Sequence, residues 1–99
     1  MRRLRLSPKA AADLEDIGDF IARDSPRRAM SFVEELFEMF RTIATMPEAY
    51  AATPELASGL RRAVHGRYLI FYSVEQHEVR IERVLHGARN IGPGTFHES

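Results

Sequence analysis

The chain has 99 residues, of which 44% are hydrophobic and 28% charged, a composition that suits one folded domain and excludes wholesale disorder. Fourteen basic residues balance fourteen acidic ones, so bulk charge does not hold this chain on nucleic acid or on an anionic membrane. The absence of cysteine excludes disulfides, thiolate metal sites and cysteine nucleophiles.

Targeting segments are not evident in the sequence. No apolar run approaches the roughly 20 residues that a membrane-spanning helix needs. The N-terminal MRRLRLSPKA has basic residues but lacks the long apolar segment of a secretory signal. We therefore expect a single domain over residues 1–99 that resides in the cytoplasm and makes no membrane contact.

The first half of the chain predicts one short strand and two helices. Arg3–Leu6 alternates between charged and apolar residues, as a strand does. Ser7-Pro8 starts a first helix, with serine as the N-cap and proline at the first helical position. Ser25-Pro26 starts a second helix in the same way, and Pro47 ends it. The short connection predicts an antiparallel helix hairpin.

The second half of the chain predicts a loop, three strands and a tail. Residues 46–59 form the loop, and the strands cover Leu60–His65, Arg67–Val74 and His77–Leu85. The alternation slips at 83–85, which predicts either a β-bulge or a switch of environment there. Residues 92–99 are predicted to be a flexible tail. The resulting β-α-α-β-β-β order predicts an α+β fold, in which the helix hairpin packs on one face of a small antiparallel sheet.

The helices carry more apolar surface than packing on a sheet requires. The main stripe of the second helix comprises Ala29, Phe32, Val33, Leu36, Phe40 and Ile43. Met30 and Phe37 widen this stripe, and Phe20 lies off the stripe of the first helix. An apolar stripe of this width indicates either a deep core or a surface for another chain. Met and Phe are typical of grooves that bind an amphipathic helix.

Four polar residues near strand ends are the strongest candidates for a functional site: Arg67, Arg83, His86 and Arg89. With Tyr68 and Tyr72 nearby, a basic rim of this kind could bind RNA and stabilise a phosphoryl transition state. The alternative is a solvated sheet face in which Arg83 pairs with Glu78 or Glu82. Residue types alone leave both open.

Metal and cofactor chemistry is not expected. A helical metal site favours two histidines spaced four residues apart. The four histidines of this chain do not have that spacing: His65, His77, His86 and His97. No serine lies in a nucleophile-elbow pattern, and no glycine-rich segment follows a strand and opens a helix.

Three segments in order resemble the ParE branch of the RelE/ParE toxin superfamily, over about residues 3–91. The first runs from Leu6 to Ala10 and continues with Asp13, Leu14 and Ile17. The second comprises Leu60-Arg61 and Gly66–Tyr72, and the third is Val84–Asn90. The members of this superfamily are toxins of bacterial type II toxin–antitoxin pairs.

The resemblance implies a toxin that inhibits DNA gyrase without catalysis, needs no cofactor, and blocks replication and growth. It implies a ParD-like antitoxin as partner, with an amphipathic helix on the apolar flank and acidic residues meeting arginine. On this hypothesis the target-binding residues are Arg67, Arg83, His86 and Arg89, and the antitoxin-binding residues are Phe20, Met30, Phe37 and Tyr72. Direct nucleic-acid binding is not expected.

The main alternative is a RelE-like endonuclease that cuts mRNA in the ribosome. The sequence departs from that pattern, because Leu69 occupies the position of a RelE-like arginine and no tyrosine follows Arg89. Lys9 is the only lysine, whereas the nucleases carry lysines in the middle segment. A third possibility is an inert binding module whose toxicity has been lost.

Overall fold

The computed structural model describes residues 2–96 and places a helix hairpin on one face of a five-stranded sheet. The helices are α1 (Pro8–Ala22) and α2 (Pro26–Thr45). The strands are β1 (Arg3–Leu6), β2 (Ala51–Ala52), β3 (Leu60–His65), β4 (Tyr68–Val74) and β5 (Glu78–His86). Short 3-10 helices cover Pro47–Ala49 and Pro93–Phe96. The predicted α+β fold and its element order are confirmed, with β2 added in the predicted loop.

Both helices begin at the predicted Ser-Pro pairs. The Ser7 hydroxyl accepts a hydrogen bond from the Ala10 N–H at 2.9 Å, and the Ser25 hydroxyl accepts one from the Arg28 N–H at 3.1 Å. Each serine satisfies a backbone donor that the first helical turn leaves without a partner. Proline follows each cap at a position that needs no N–H donor.

The sheet has the strand order β1-β5-β4-β3-β2 and is mixed rather than wholly antiparallel. Strands β3, β4 and β5 form the predicted antiparallel meander, whereas β1 pairs in parallel with β5. The parallel register places Leu4 beside Val79 and Leu6 beside Ile81. Because these four side chains belong to the core under the helices, their burial selects this register.

The predicted bulge is present one residue earlier than expected. Tyr72 pairs with Ile81 and Phe71 pairs with Arg83, so Glu82 is the extra residue in β5. A bulge reorients the strand locally. After the bulge, the pairing of β5 with β4 is shifted by one residue, so that Arg83 pairs with Phe71 and Val84 with Ile70. This shift sets the direction of the Arg83 side chain.

Two apolar clusters lie on opposite faces of the sheet. The larger one fills the space between the hairpin and the sheet and includes the fully buried Leu36, Phe40 and Tyr72. The smaller one lies on the outer face of the sheet, defined as the face away from the helices, and is built on Leu60, Phe71 and Leu85.

The C-terminal segment covers part of this outer face. The Phe96 ring packs edge-on against Phe71, with centroids 4.8 Å apart. Residues 97–99 of the predicted flexible tail lie outside the described residues, and the mobility of the tail stays a prediction. Within residues 2–96, neither helix combines the length and the apolar character that crossing a bilayer requires.

Candidate functional site

Three of the four predicted target-binding residues lie together at one end of the sheet. Arg67 lies in the turn between β3 and β4, and His86 ends β5. The Gly87 N–H donates to the Arg67 carbonyl at 2.8 Å, and the Arg89 N–H donates to the His86 carbonyl at 3.0 Å. Arg67, His86 and Arg89 are exposed, and we call them the basic edge. It presents two guanidinium groups and one imidazole to solvent.

The imidazole of the basic edge is held by two contacts. His86 packs edge-on against the Tyr68 ring, with centroids 5.2 Å apart. Its Nδ1 accepts a hydrogen bond from the Ala88 N–H at 3.0 Å. The neutral ring therefore carries its proton on Nε2, which can donate to an acceptor on a partner.

Arg83 does not belong to the basic edge, so its assignment to the target surface is corrected. Its guanidinium donates to both carboxylate oxygens of Asp13 on α1, at 2.8 and 2.9 Å. The side chains of Arg83 and Asp13 are only 15% and 9% exposed. The hydrogen bonds to Asp13 raise the pKa of Arg83, and burial opposes that rise. The alternative pairing of Arg83 with Glu78 or Glu82 is also wrong.

Asp13 is a structural residue that the sequence reasoning did not assign. Its Oδ2 also accepts the Val84 N–H at 2.9 Å, so one carboxylate links α1 to both the side chain and the backbone of β5. A signal for it existed in the sequence. Asp13 lies between Ala10 and Ile17 on the buried face of α1, where a carboxylate is rare unless it has a partner.

A second charged cluster lies where α2 meets the end of β3, and sequence reasoning missed it. Glu35 accepts a hydrogen bond from Arg28 Nη1 at 2.7 Å, and His65 Nε2 lies 3.1 Å from the other Glu35 oxygen. The hydrogen bonds from Arg28 and then His65 lower the pKa of Glu35. The sequence signal is weak, because the Arg28–Glu35 spacing of two helical turns is common on solvated helices.

Aromatic rings connect this cluster to the basic edge. The Phe32 ring lies 5.4 Å from His65 and 5.5 Å from Tyr68, measured between centroids, and Tyr68 in turn contacts His86. The Arg28 guanidinium lies over the Phe32 ring at 5.2 Å. The side of α2 that carries Arg28 and Glu35 is therefore continuous with the basic edge.

Small and apolar residues line the contact between α1 and α2. The helices approach closely at Gly18, where a Cβ would lie 3.8 Å from Val33 Cγ2. Helical spacing places Ala11, Gly18 and Ala22 on one side of this contact and Met30, Val33 and Phe37 on the other, and we call these six residues the hairpin trough. Met30 is 69% exposed, whereas Phe37 is half-buried with its ring 5.3 Å from Phe40.

Phe20 lies on a different flank of α1 from the trough. It follows Gly18 by two residues, which corresponds to about 200° around the helix. Phe20 is 61% exposed, with the Arg23 guanidinium 5.9 Å from its ring centroid. Its role in antitoxin binding stays a prediction, and a partner that reaches both Phe20 and Met30 has to extend around the hairpin.

Tyr72 is not available to a partner, so its assignment to the antitoxin surface is corrected. Its side chain is fully buried under the helices, and its hydroxyl donates to the Pro47 carbonyl at 2.5 Å. Burial raises the pKa of Tyr72 to about 12. Strand β4 is apolar on both faces, and this pattern alone does not indicate which face carries the helices.

Alkaline titration of Tyr72→Phe tests this burial. Because the folded state raises the pKa, Tyr72 stabilises the fold fully below its ordinary pKa of 10.0, and this contribution is lost as the pH rises through about 12. A shift of this size corresponds to about 2–3 kcal/mol. Urea unfolding between pH 9 and pH 12 is expected to show this loss in the wild type and not in Tyr72→Phe. A Tyr68→Phe control is expected to retain it, and an equal loss in wild type and Tyr72→Phe would contradict the assignment.

The described residues offer no obvious place for a metal ion. Among residues 2–96, no three side chains of histidine, aspartate or glutamate converge as ligands. His97 lies outside the described residues. The arrangement is suited to binding other macromolecules through the basic edge and the hairpin trough.

Comparisons with known proteins identify the family. The family described as ParE toxin of type II toxin-antitoxin system, parDE, matches residues 4–91. Toxin ParE1 of Caulobacter vibrioides is 35% identical over 91 residues, which cover 91% of this chain and 94% of that protein. A solved structure described as the chromosomal ParDE TA system from P. aeruginosa superposes with a TM-score of 0.73 at 25% identity, covering 87% of this chain and 96% of that one. The chain belongs to the ParE toxin family of type II toxin–antitoxin systems.

Proposed function

We propose that this toxin inhibits DNA gyrase by binding it, without catalysis, and that a ParD-like antitoxin neutralises it in the cytoplasm. The observation that carries the proposal is the presence of two separate exposed surfaces, the basic edge and the hairpin trough. Arg28 lies on the side of α2 that is continuous with the basic edge. Met30 of the trough follows Arg28 by two residues, which corresponds to about 200° around α2, so the trough lies on another side of this helix. The two surfaces can therefore contact different partners.

The hairpin trough supports the antitoxin part of the proposal. Met30 is exposed beside the small residues of α1, so the apolar face of an amphipathic helix can pack against this surface. A solved relative of this chain is described as a ParDE system, in which a toxin and an antitoxin are named together. An antitoxin segment that folds on binding would bury a large area at the cost of its ordering entropy.

The basic edge supports toxicity through binding of a protein target, as opposed to catalysis. Arg67 and Arg89 can form forked hydrogen bonds with carboxylates on a protein target, and His86 adds a donor between them. Arg83, which the sequence predicted as a further cation of this surface, is already paired with Asp13. The geometry therefore favours recognition of a protein surface over stabilisation of a phosphoryl transition state.

Induced expression separates gyrase inhibition from mRNA cleavage. We expect the wild type to induce the DNA-damage response and stall replication, with intact transcripts. Cleaved transcripts and a prompt translation block, without DNA damage, would instead assign the chain to the RelE-like endonucleases. Unaffected growth at a verified protein level would indicate an inert binding module.

The double variant Arg67→Glu/Arg89→Glu tests the basic edge. Both side chains are exposed, so the variant is expected to fold and to bind antitoxin like the wild type. Charge reversal is expected to weaken gyrase inhibition by at least about tenfold, through slower association and unpaired charges at the contact. The control is Arg62→Glu, which reverses an exposed charge on the outer face. Equal inhibition by the wild type and the double variant would exclude the edge from the target contact.

A further inference from the structure

We propose that Tyr68 anchors the contact between the basic edge and its target, by donating its hydroxyl to a carboxylate of the target protein. The inference rests on the proposed function and adds a residue and a chemical group to the same surface. In the sheet register Tyr68 lies opposite His65 on β3 and opposite His86 on β5. Because paired residues of neighbouring strands point to the same sheet face, Tyr68 adjoins the imidazole of the basic edge.

The ring of Tyr68 is held in place before any partner binds. It packs edge-on against His86 with centroids 5.2 Å apart, and the Phe32 ring of α2 lies 5.5 Å away. Tyr68 is half-buried at the border of the larger apolar cluster. A side chain that is already ordered loses little further entropy on binding, and tyrosine is enriched among the residues that dominate protein–protein contacts.

The hydroxyl of Tyr68 is available to a partner. It has no hydrogen-bond partner within residues 2–96 and remains accessible to solvent. Tyr72, the other tyrosine of β4, is fully buried and donates its hydroxyl to the Pro47 carbonyl. The two tyrosines of this strand therefore differ in role, since Tyr72 completes a contact of the fold and Tyr68 has a donor left for another molecule.

The charges around this hydroxyl favour a carboxylate as its acceptor. Arg67 and Arg89 are exposed, and neither forms an ion pair within the part of the chain that the structure describes. His86 Nε2 is a further donor of the same edge. The carboxylate of Glu35 is already engaged by Arg28, with two nitrogen–oxygen distances of 2.7 and 3.5 Å. Several donors without a carboxylate of their own select a negatively charged acceptor, and an O–H donor bonds a carboxylate roughly twice as strongly as a neutral group.

A surface plasmon resonance titration of purified DNA gyrase with the full-length chain tests the hydroxyl. Tyr68→Phe removes one oxygen and keeps the ring, and it is expected to weaken gyrase binding by about tenfold. The matched control is Tyr50→Phe, because Tyr50 is a half-buried tyrosine whose ring contacts Tyr72 and not the basic edge. This control is expected to bind like the wild type. Wild-type affinity in Tyr68→Phe would overturn the proposal.

The NMR signals of the His86 ring separate a direct contact from a structural role. Tyr68→Phe retains the ring that packs against His86, so its imidazole signals and its melting temperature are expected to match those of the wild type. Tyr68→Leu loses the ring as well, and it is expected to shift these signals and to bind gyrase more weakly than Tyr68→Phe. A displaced imidazole in Tyr68→Phe would show that the hydroxyl acts through the fold, which would refute the direct contact.

Hexaglutamate tests the choice of a carboxylate without gyrase. In amide NMR spectra of the wild-type chain it is expected to shift the signals of Arg67, Tyr68 and Arg89 in a saturable manner, with weaker shifts in Tyr68→Phe. Hexaglutamine has the same backbone without the charges and is expected to leave these signals unchanged. Equal shifts with the two peptides, or none with hexaglutamate, would exclude a carboxylate as the acceptor.

Failure of this inference differs from failure of the proposed function. If gyrase binds the wild type and Tyr68→Phe equally well, the basic edge contacts gyrase without Tyr68, and only the inference is wrong. If gyrase does not bind the wild type, the proposed function is wrong and the inference fails with it.

Discussion

The variant Asp13→Ala is expected to lose about 3–5 kcal/mol of unfolding free energy, a large part of the stability of a domain of this size. The substitution leaves the guanidinium of Arg83 buried without its carboxylate and removes the acceptor for the Val84 N–H. Urea unfolding followed by circular dichroism measures the loss. Asp16→Ala, at an exposed position on the same helix, is the matched control and is expected to change stability by less than about 0.5 kcal/mol.

A double-mutant cycle separates the ion pair from the backbone contact. In Asp13→Ala/Arg83→Met the unpaired charge is gone, so the double variant is expected to recover part of the loss seen in Asp13→Ala. The Val84 N–H remains without its acceptor, so the recovery is incomplete. A loss below about 1 kcal/mol in Asp13→Ala would show that water or another group replaces the carboxylate and that the pair does not hold β5 to α1.

The variant Met30→Asp is expected to weaken antitoxin binding by at least about 100-fold, because a carboxylate would be buried against the apolar face of the partner helix. Met30 is 69% exposed in the free toxin, so the fold itself is expected to tolerate the charge. The matched control is Val64→Asp, which introduces the same charge at a 56% exposed apolar position on the outer face of the sheet. Calorimetric titration of the purified partners measures both affinities.

The same pair of variants can be compared in cells. Co-expressed antitoxin is expected to rescue growth in the presence of the wild type and Val64→Asp, and to fail with Met30→Asp. If Met30→Asp and the wild type bind antitoxin equally well, the antitoxin does not use the hairpin trough. A loss confined to Phe20→Asp would instead place the antitoxin on the far flank of α1.

Local signals accounted for most of the fold. The two Ser-Pro pairs and Pro47 predict where the helices begin and end, because capping and the missing proline N–H act within one helical turn. The strand bounds of the meander were predicted to within a residue or two from alternation and from the turn at Gly66. That glycine has a φ of +59°, which other residues rarely adopt.

The features that sequence analysis missed depend on contacts between distant parts of the chain. β1 pairs with β5 some 75 positions later, and a four-residue strand carries no information about which neighbour it takes or in which direction. Asp13 and Arg83 lie 70 positions apart, and each has nearer charged residues that look like equally good partners. Their pairing follows only once the bulge at Glu82 is known.

Surface positions could be predicted for part of the candidate site. Arg67, His86 and Arg89 follow turns and strand ends, where side chains point to solvent, and they are exposed as expected; their role in target binding stays a prediction. Tyr72 lies in a strand that is apolar on both faces, so the period of two does not distinguish inside from outside. The apolar stripe of α2 likewise predicts that Met30 lies outside the core. It does not predict on which side of the hairpin Met30 lies.

A supercoiling assay with purified DNA gyrase tests the central claim most directly. We expect the wild-type chain to inhibit supercoiling in a dose-dependent manner, Arg67→Glu/Arg89→Glu to require at least about tenfold more protein, and added antitoxin to restore activity. Full gyrase activity at a saturating concentration of folded wild-type toxin would contradict inhibition of gyrase by this chain.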